Sequence, residues 1–133
     1  MRKYLIVYGA LLPVFGLLDY IWLGLLAPGF YQSQIGSLLL PTPLIVPAAA
    51  FYLMYPAALI YFCLAARPDA SIAFGALRGA LFGAVAYATY DLSNWATLKG
   101  WSSTVAMADI VWGAVASGIA MGVAGLVWRV VRR

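Results

Sequence analysis

The chain has 133 residues, 65% of them hydrophobic and 9% charged, with a net charge of +4 and no His. Soluble domains carry about 25% charged residues, so an ordinary water-soluble globule is excluded; disorder is excluded too, because it needs low hydrophobicity. His-based triads, His-ligated zinc and Glu-containing dyads are unavailable, since every acid is an Asp, and the lone Cys63 cannot form an internal disulfide.

A spanning helix needs about 20 mostly apolar residues. Four stretches qualify, at 4–26, 44–66, 72–97 and 104–128. The expected architecture is all-α, one membrane domain over residues 1–133 forming a bundle of four transmembrane helices. The first span follows Arg2 and Lys3 like a signal peptide, but its apolar run is longer than such a segment and contains Asp19, so a retained helix is expected. Ala27-Pro28-Gly29 ends it. The connector 27–43 is uncharged, and Gly29 to Ile35 suits a short interfacial segment as well as a plain linker. Pro41, Pro43 and Pro47 precede the second span, and Arg67-Pro68-Asp69 closes it. Lys99-Gly100 closes the third. Pro13 and Pro56 are expected to kink their helices.

Lys and Arg set the orientation. Arg2, Lys3, Arg67, Arg78, Arg129, Arg132 and Arg133 fall on one side against Lys99 on the other, so both termini are expected to be cytoplasmic. The basic balance is then a topology signal and calls for no nucleic-acid partner; the lipid bilayer is the partner the composition demands. Tyr4 and Trp128 suit the inner aromatic belt, and Trp22, Phe30, Tyr31 and Trp101 the outer one.

Asp69 lies in a loop, but Asp19, Asp91 and Asp109 lie inside three different spans. At 1.5 Å of rise per residue each sits roughly 8 to 10 Å below the outer edge. An Asp at the centre of an inserted helix costs about 2.5 to 3.5 kcal/mol, less in the outer third, and three together reach about 5 to 10 kcal/mol. Intramembrane ionisable groups face a bundle interior or wet cavity and are functional candidates by default. Helical spacing puts Tyr87 and Asn94 on the face of Asp91 and Trp112 on that of Asp109; Tyr52 and Tyr55 lie at comparable depth on the second span. Trp112 falls roughly 12 Å deep, too deep for a belt, and reads as a pocket wall or as simple core packing. Asp-x-x-Trp occurs twice, at Asp19–Trp22 and Asp109–Trp112. Lys99 could snorkel back to neutralise one carboxylate; the remainder then call for protons, a bound cation or a cationic ligand. Asp19, Asp91 and Asp109 with Asn94 would suit a hard cation by ligand type, although the spacing matches no dedicated metal motif; the sequence leaves metal and cofactor open.

Gly75, Gly79 and Gly83 repeat every four residues, and Gly113, Ser117, Ala120 and Ala124 form a similar ridge. Both read as packing surfaces, serving either the bundle or a homodimer.

The run Tyr87-Ala-Thr-Tyr-Asp-Leu-Ser-Asn-Trp-Ala-Thr-Leu-Lys-Gly-Trp101, with Asp19–Gly24, Gly29-Phe30-Tyr31 and Asp109–Gly113, resembles a bacterial family of small predicted four-helix membrane proteins of unknown function. The resemblance covers nearly the whole chain and implies a multi-pass protein of the bacterial inner membrane. It supplies no activity. Three functions fit the residues: a site binding or translocating a proton, cation or small cationic solute; an enzyme acting on a lipid or isoprenoid at the outer leaflet; or an accessory subunit whose protonated aspartates hydrogen-bond between helices.

Overall fold

The computed structural model describes residues 1–133 as helices and short connections, with no strand. Four helices are long and apolar enough to cross a membrane: α1 (Arg2–Leu26), α3 (Ile45–Ala65), α4 (Ile72–Thr97) and α5 (Ser103–Val131). A short α2 (Pro28–Ile35) follows α1, and one 3-10 turn (Gly36–Leu38) leads from it to the Pro-rich approach to α3. Only 25 of 133 residues are buried, while large apolar side chains on all four long helices point outward. That surface is unsuited to water and suited to acyl chains.

Local chemistry explains the helix ends. Pro28 sits at the first position of α2, where its missing N–H would have had no partner. Ser71 Oγ caps α4 by accepting the Phe74 N–H at 3.1 Å, and Ser102 Oγ caps α5 by accepting those of Thr104 and Val105. Gly100 adopts φ 81, the left-handed conformation that turns α4 into α5. Two segments wind as π-helix: Tyr20–Leu26, directly after Asp19, and Ile60–Ala65, which begins four residues after Pro56. Such windings recur at functional sites.

The tightest helix pair is α4 with α5. A methyl added at Gly79 would strike Met121 and the Ser117 carbonyl, and one at Gly83 the Gly113 carbonyl and Ser117 Oγ. The small-residue ridge therefore packs within the bundle. Gly75 does not take part: nothing lies within 4 Å of a Cβ placed there, and it borders a void of about 20 Å³ between the end of α3, the start of α4 and α5, near Arg67 and Arg129. Helix α1 packs on α5 and α3, and Val7, Leu11 and Phe15 meet Tyr55, Leu59, Ala116, Ala120 and Met121 in the core.

Both termini lie at one end of the bundle, where Lys3 Nζ donates to the Arg132 carbonyl at 3.0 Å. Arg132 pairs there with Asp69 at 3.0 Å, the one salt bridge in the chain. Trp128 is no belt residue. It is buried, stacks on Tyr4 at 4.6 Å and donates its indole N–H to the Pro68 carbonyl at 2.9 Å.

Candidate functional site

Asp19, Asp91 and Asp109 all lie toward the opposite end, beneath α2 and the α4–α5 turn, with side chains 3%, 0% and 9% exposed. Asp91 is six residues before the end of α4, and Asp109 six after the start of α5. Asp19 closes the α-wound part of α1.

The two Asp-x-x-Trp segments meet each other. Helices α1 and α5 are antiparallel, so Trp112 is level with Asp19 and Trp22 with Asp109. Trp112 Nε1 donates to Asp19 Oδ1 at 3.0 Å. Trp22 Nε1 donates at 2.9 Å to the Tyr31 hydroxyl, whose own proton goes to Asp109 Oδ1. Between these bonds the two indoles stack with centroids 4.9 Å apart and planes 9° off parallel. Each tryptophan thus serves, directly or through Tyr31, the carboxylate of the other segment. The outer belt was the expected place of Trp22 and Tyr31; instead Tyr31 donates to the buried Asp109 and Trp22 donates to Tyr31. Burial, and then the hydrogen bond to Asp109, push the Tyr31 phenol above the ordinary tyrosine range, so it remains a donor throughout the neutral range.

Tyr31 comes from α2, which is held down a second time. Ser102, while capping α5, also donates to Gln34 Oε1 at 2.7 Å. Helix α2 is consequently a cap over the carboxylate layer, anchored to α5 through Asp109 and Ser102.

Asp91 differs. Fully covered, it has no hydrogen-bond partner on either oxygen. Trp101 adjoins it, and the indole N–H of Trp101 is itself buried and unpaired. A donor and an acceptor are therefore neighbours without a formed bond. Asp109 lies within electrostatic reach of both Asp91 and Asp19, which makes it the middle member of the layer.

Other expected members separate into two groups. Tyr52 joins Asp19 on the wall of a cleft of about 430 Å³ between α1 and α3. Tyr87 lays its ring over Gly113, one turn from Asp109. Tyr55, by contrast, turns away to share a 2.8 Å hydrogen bond with the buried Ser117 hydroxyl. Asn94 is half-buried and makes no side-chain hydrogen bond to any carboxylate. Lys99 does not snorkel back. It is exposed and unpaired, because the chain leaves α4 at Thr97 through an extended Leu98 and turns away at Gly100.

The carboxylates form a row rather than a cage. No three acidic side chains converge closely enough to hold a metal ion, so the hard-cation option for Asp19, Asp91, Asp109 and Asn94 lacks a ligand set. The cleft that reaches Asp19 is lined by neither Asp91 nor Asp109. The arrangement can present negative charge to a cation or relay a proton along neighbouring groups. The pairing of Trp22 with the layer had one sequence signal, the recurrence of Asp-x-x-Trp on two helices of opposite direction.

No curated protein and no solved structure matches this chain. A family model described as "Predicted membrane protein (DUF2177)" matches residues 4–127, and the chain, with its four apolar helices, belongs to that family.

Proposed function

We propose that the aspartate row binds a proton, a cation or a small cationic solute, and that movement of this species through the row is the activity of the protein. The observation that carries the reading is Asp91: a carboxylate fully buried, unpartnered on both oxygens, beside a second acidic group and in no ion pair with a basic one. A buried carboxylate without compensation is strongly destabilising. A proton or cation held along the row supplies that compensation. With no Lys or Arg in an ion pair with Asp91, that compensation is left to come from solution or the bilayer.

The distribution of basic residues supports cytoplasmic termini, and the family resemblance a bacterial inner-membrane location; together they set the row in the outer third of the membrane. The lateral cleft at Asp19 supports a second reading, a lipid-directed enzyme, because it offers a bilayer molecule a route to one carboxylate. That reading is weaker, since Asp91 and Asp109 do not share the cleft and cannot serve as its acid and base pair.

The test is tetramethylammonium binding to the purified protein in neutral-lipid nanodiscs, by calorimetry across pH. Wild type is expected to bind with proton release, and Asp91→Asn to lose the proton-linked component. The same affinity and proton release in Asp91→Asn would overturn the proposal.

A further inference from the structure

Resting on the reading of the row as a cation site, we propose that the cleft between α1 and α3 admits a cationic amphiphile sideways from the bilayer, an amine or quaternary ammonium with an apolar tail, and sets its charge against Asp19. The cleft holds about 430 Å³ and is lined by Leu12, Gly16, Asp19, Tyr20, Leu23 and Tyr52, with Gly24 at its upper edge. That volume is in the usual range for small-molecule sites. Its mouth faces the acyl chains, because the rim residues Tyr20 and Leu23 are 61% and 48% exposed on the outer surface of α1.

The lining selects charge and shape together. Asp19 is the sole charged group in it, and no Lys or Arg borders it. One Asp19 oxygen takes the Trp112 indole proton at 3.0 Å, which fixes the carboxylate plane, and the Tyr52 hydroxyl neighbours the same carboxylate, so an ammonium would share it with Tyr52. Tyr20 and Tyr52 both border the cleft, and aromatic faces attract quaternary ammonium groups. Tyr20 is folded back over Gly24, its Cδ2 lying 3.2 Å from where a Cβ at Gly24 would stand; a larger residue there would push the ring off the rim. Below Asp19 the walls turn apolar. Leu12 is roughly 10 Å deeper along α1, and Gly16 between them carries no side chain, with nothing within 4 Å of a Cβ placed on it. An apolar trench thus runs from the carboxylate toward the bilayer centre, in the direction a tail would lie.

The test uses the full chain in zwitterionic nanodiscs, titrated with three brominated-chain probes of one length: a trimethylammonium, an alcohol and a sulfate. Bromine quenches tryptophan on contact, and Trp112 adjoins the site. The ammonium is expected to quench saturably. The alcohol and sulfate are expected to show only the linear quenching of partition into lipid. Asp19→Asn, which keeps the acceptor for Trp112, is expected to weaken the saturable component about tenfold. Gly16→Leu, which fills the trench and leaves every carboxylate in place, is expected to remove it. Equal quenching by all three probes, or an unchanged ammonium curve in both variants, would overturn the proposal. Tetramethylammonium binding separates the two ideas. Its retention with no saturable amphiphile quenching sinks the cleft and spares the row, whereas loss of both sinks the row as well.

Discussion

Replacing Trp112 with Phe tests the crossed pairing of the two Asp-x-x-Trp segments. The substitution keeps a ring to stack on Trp22 and deletes one N–H, the donor to Asp19 at 3.0 Å. Leaving a buried acceptor unpaired costs about 1–3 kcal/mol in proteins generally; inter-helix hydrogen bonds in membranes average about 0.6 and reach about 1.7 kcal/mol. The Asp19 bond belongs near the upper membrane figure, because the acceptor is a carboxylate and is 3% exposed. It falls short of the full penalty, because the same carboxylate borders the cleft and Tyr52. The expected loss is about 1.5 kcal/mol, read from reversible unfolding in mixed detergent micelles by circular dichroism. The second arm repeats the change in an Asp19→Leu background, where no carboxylate remains to be stranded. There it should cost under about 0.5 kcal/mol, a coupling of about 1 kcal/mol. Replacing both partners by apolar groups can even be neutral or stabilising, the pattern of a pair retained for something other than stability. Equal losses in the two backgrounds would refute the pairing.

Tyr31→Phe removes the donor to Asp109 and the acceptor for Trp22 together, and should loosen α2 by about 1–2 kcal/mol. Amide exchange in α2 would then quicken roughly 5- to 30-fold, while the four long helices stay protected. Because the half-buried phenol holds its proton above the ordinary value of 10.0, its contribution in wild type is intact below that pH. It fades only as pH rises from there toward the higher native value, so α2 exchange corrected for intrinsic rate should break upward near that point in wild type and not in the variant. Gly83→Leu would drive a side chain into the Gly113 carbonyl, a backbone group that cannot rotate aside, and should cost about 3 kcal/mol or more. Gly75→Leu, with open space around it, should stay within about 0.5 kcal/mol of wild type, the two being compared by thermal unfolding in detergent.

The fold was legible because a membrane allows few solutions. Four apolar runs bounded by Pro, Gly and charge can hardly be anything but four spans, and the common depth of Asp19, Asp91 and Asp109 follows from rise per residue alone. Which side chains touch was harder to read, because contact depends on the rotation of each helix and on register between helices. Trp22 shows the difficulty. By depth it is a belt residue, and only the antiparallel match of α1 to α5 turns it toward Trp112. Tyr31 was hidden for another reason, since a connector outside the spans carries no periodicity that would aim it inward. Lys99 failed as a counter-ion because one left-handed glycine steers the chain away, a local geometry that reach along a side chain does not capture. Gly79 and Gly83 lie in the α4–α5 contact, yet their pattern could not choose between the bundle and a homodimer, nor say that Gly75 falls outside the contact.

The central claim, that three carboxylates on three helices form one linked acidic row, is tested most directly by carboxyl carbon NMR of aspartate-labelled protein in nanodiscs. The chain has four acidic residues, and Asp69, paired with Arg132 at the far end, is an internal reference. A saturating trimethylammonium probe should shift the Asp19, Asp91 and Asp109 signals over one concentration range and leave Asp69 still. Asp91 and Asp109 signals that stay in place while the probe binds elsewhere would contradict the account.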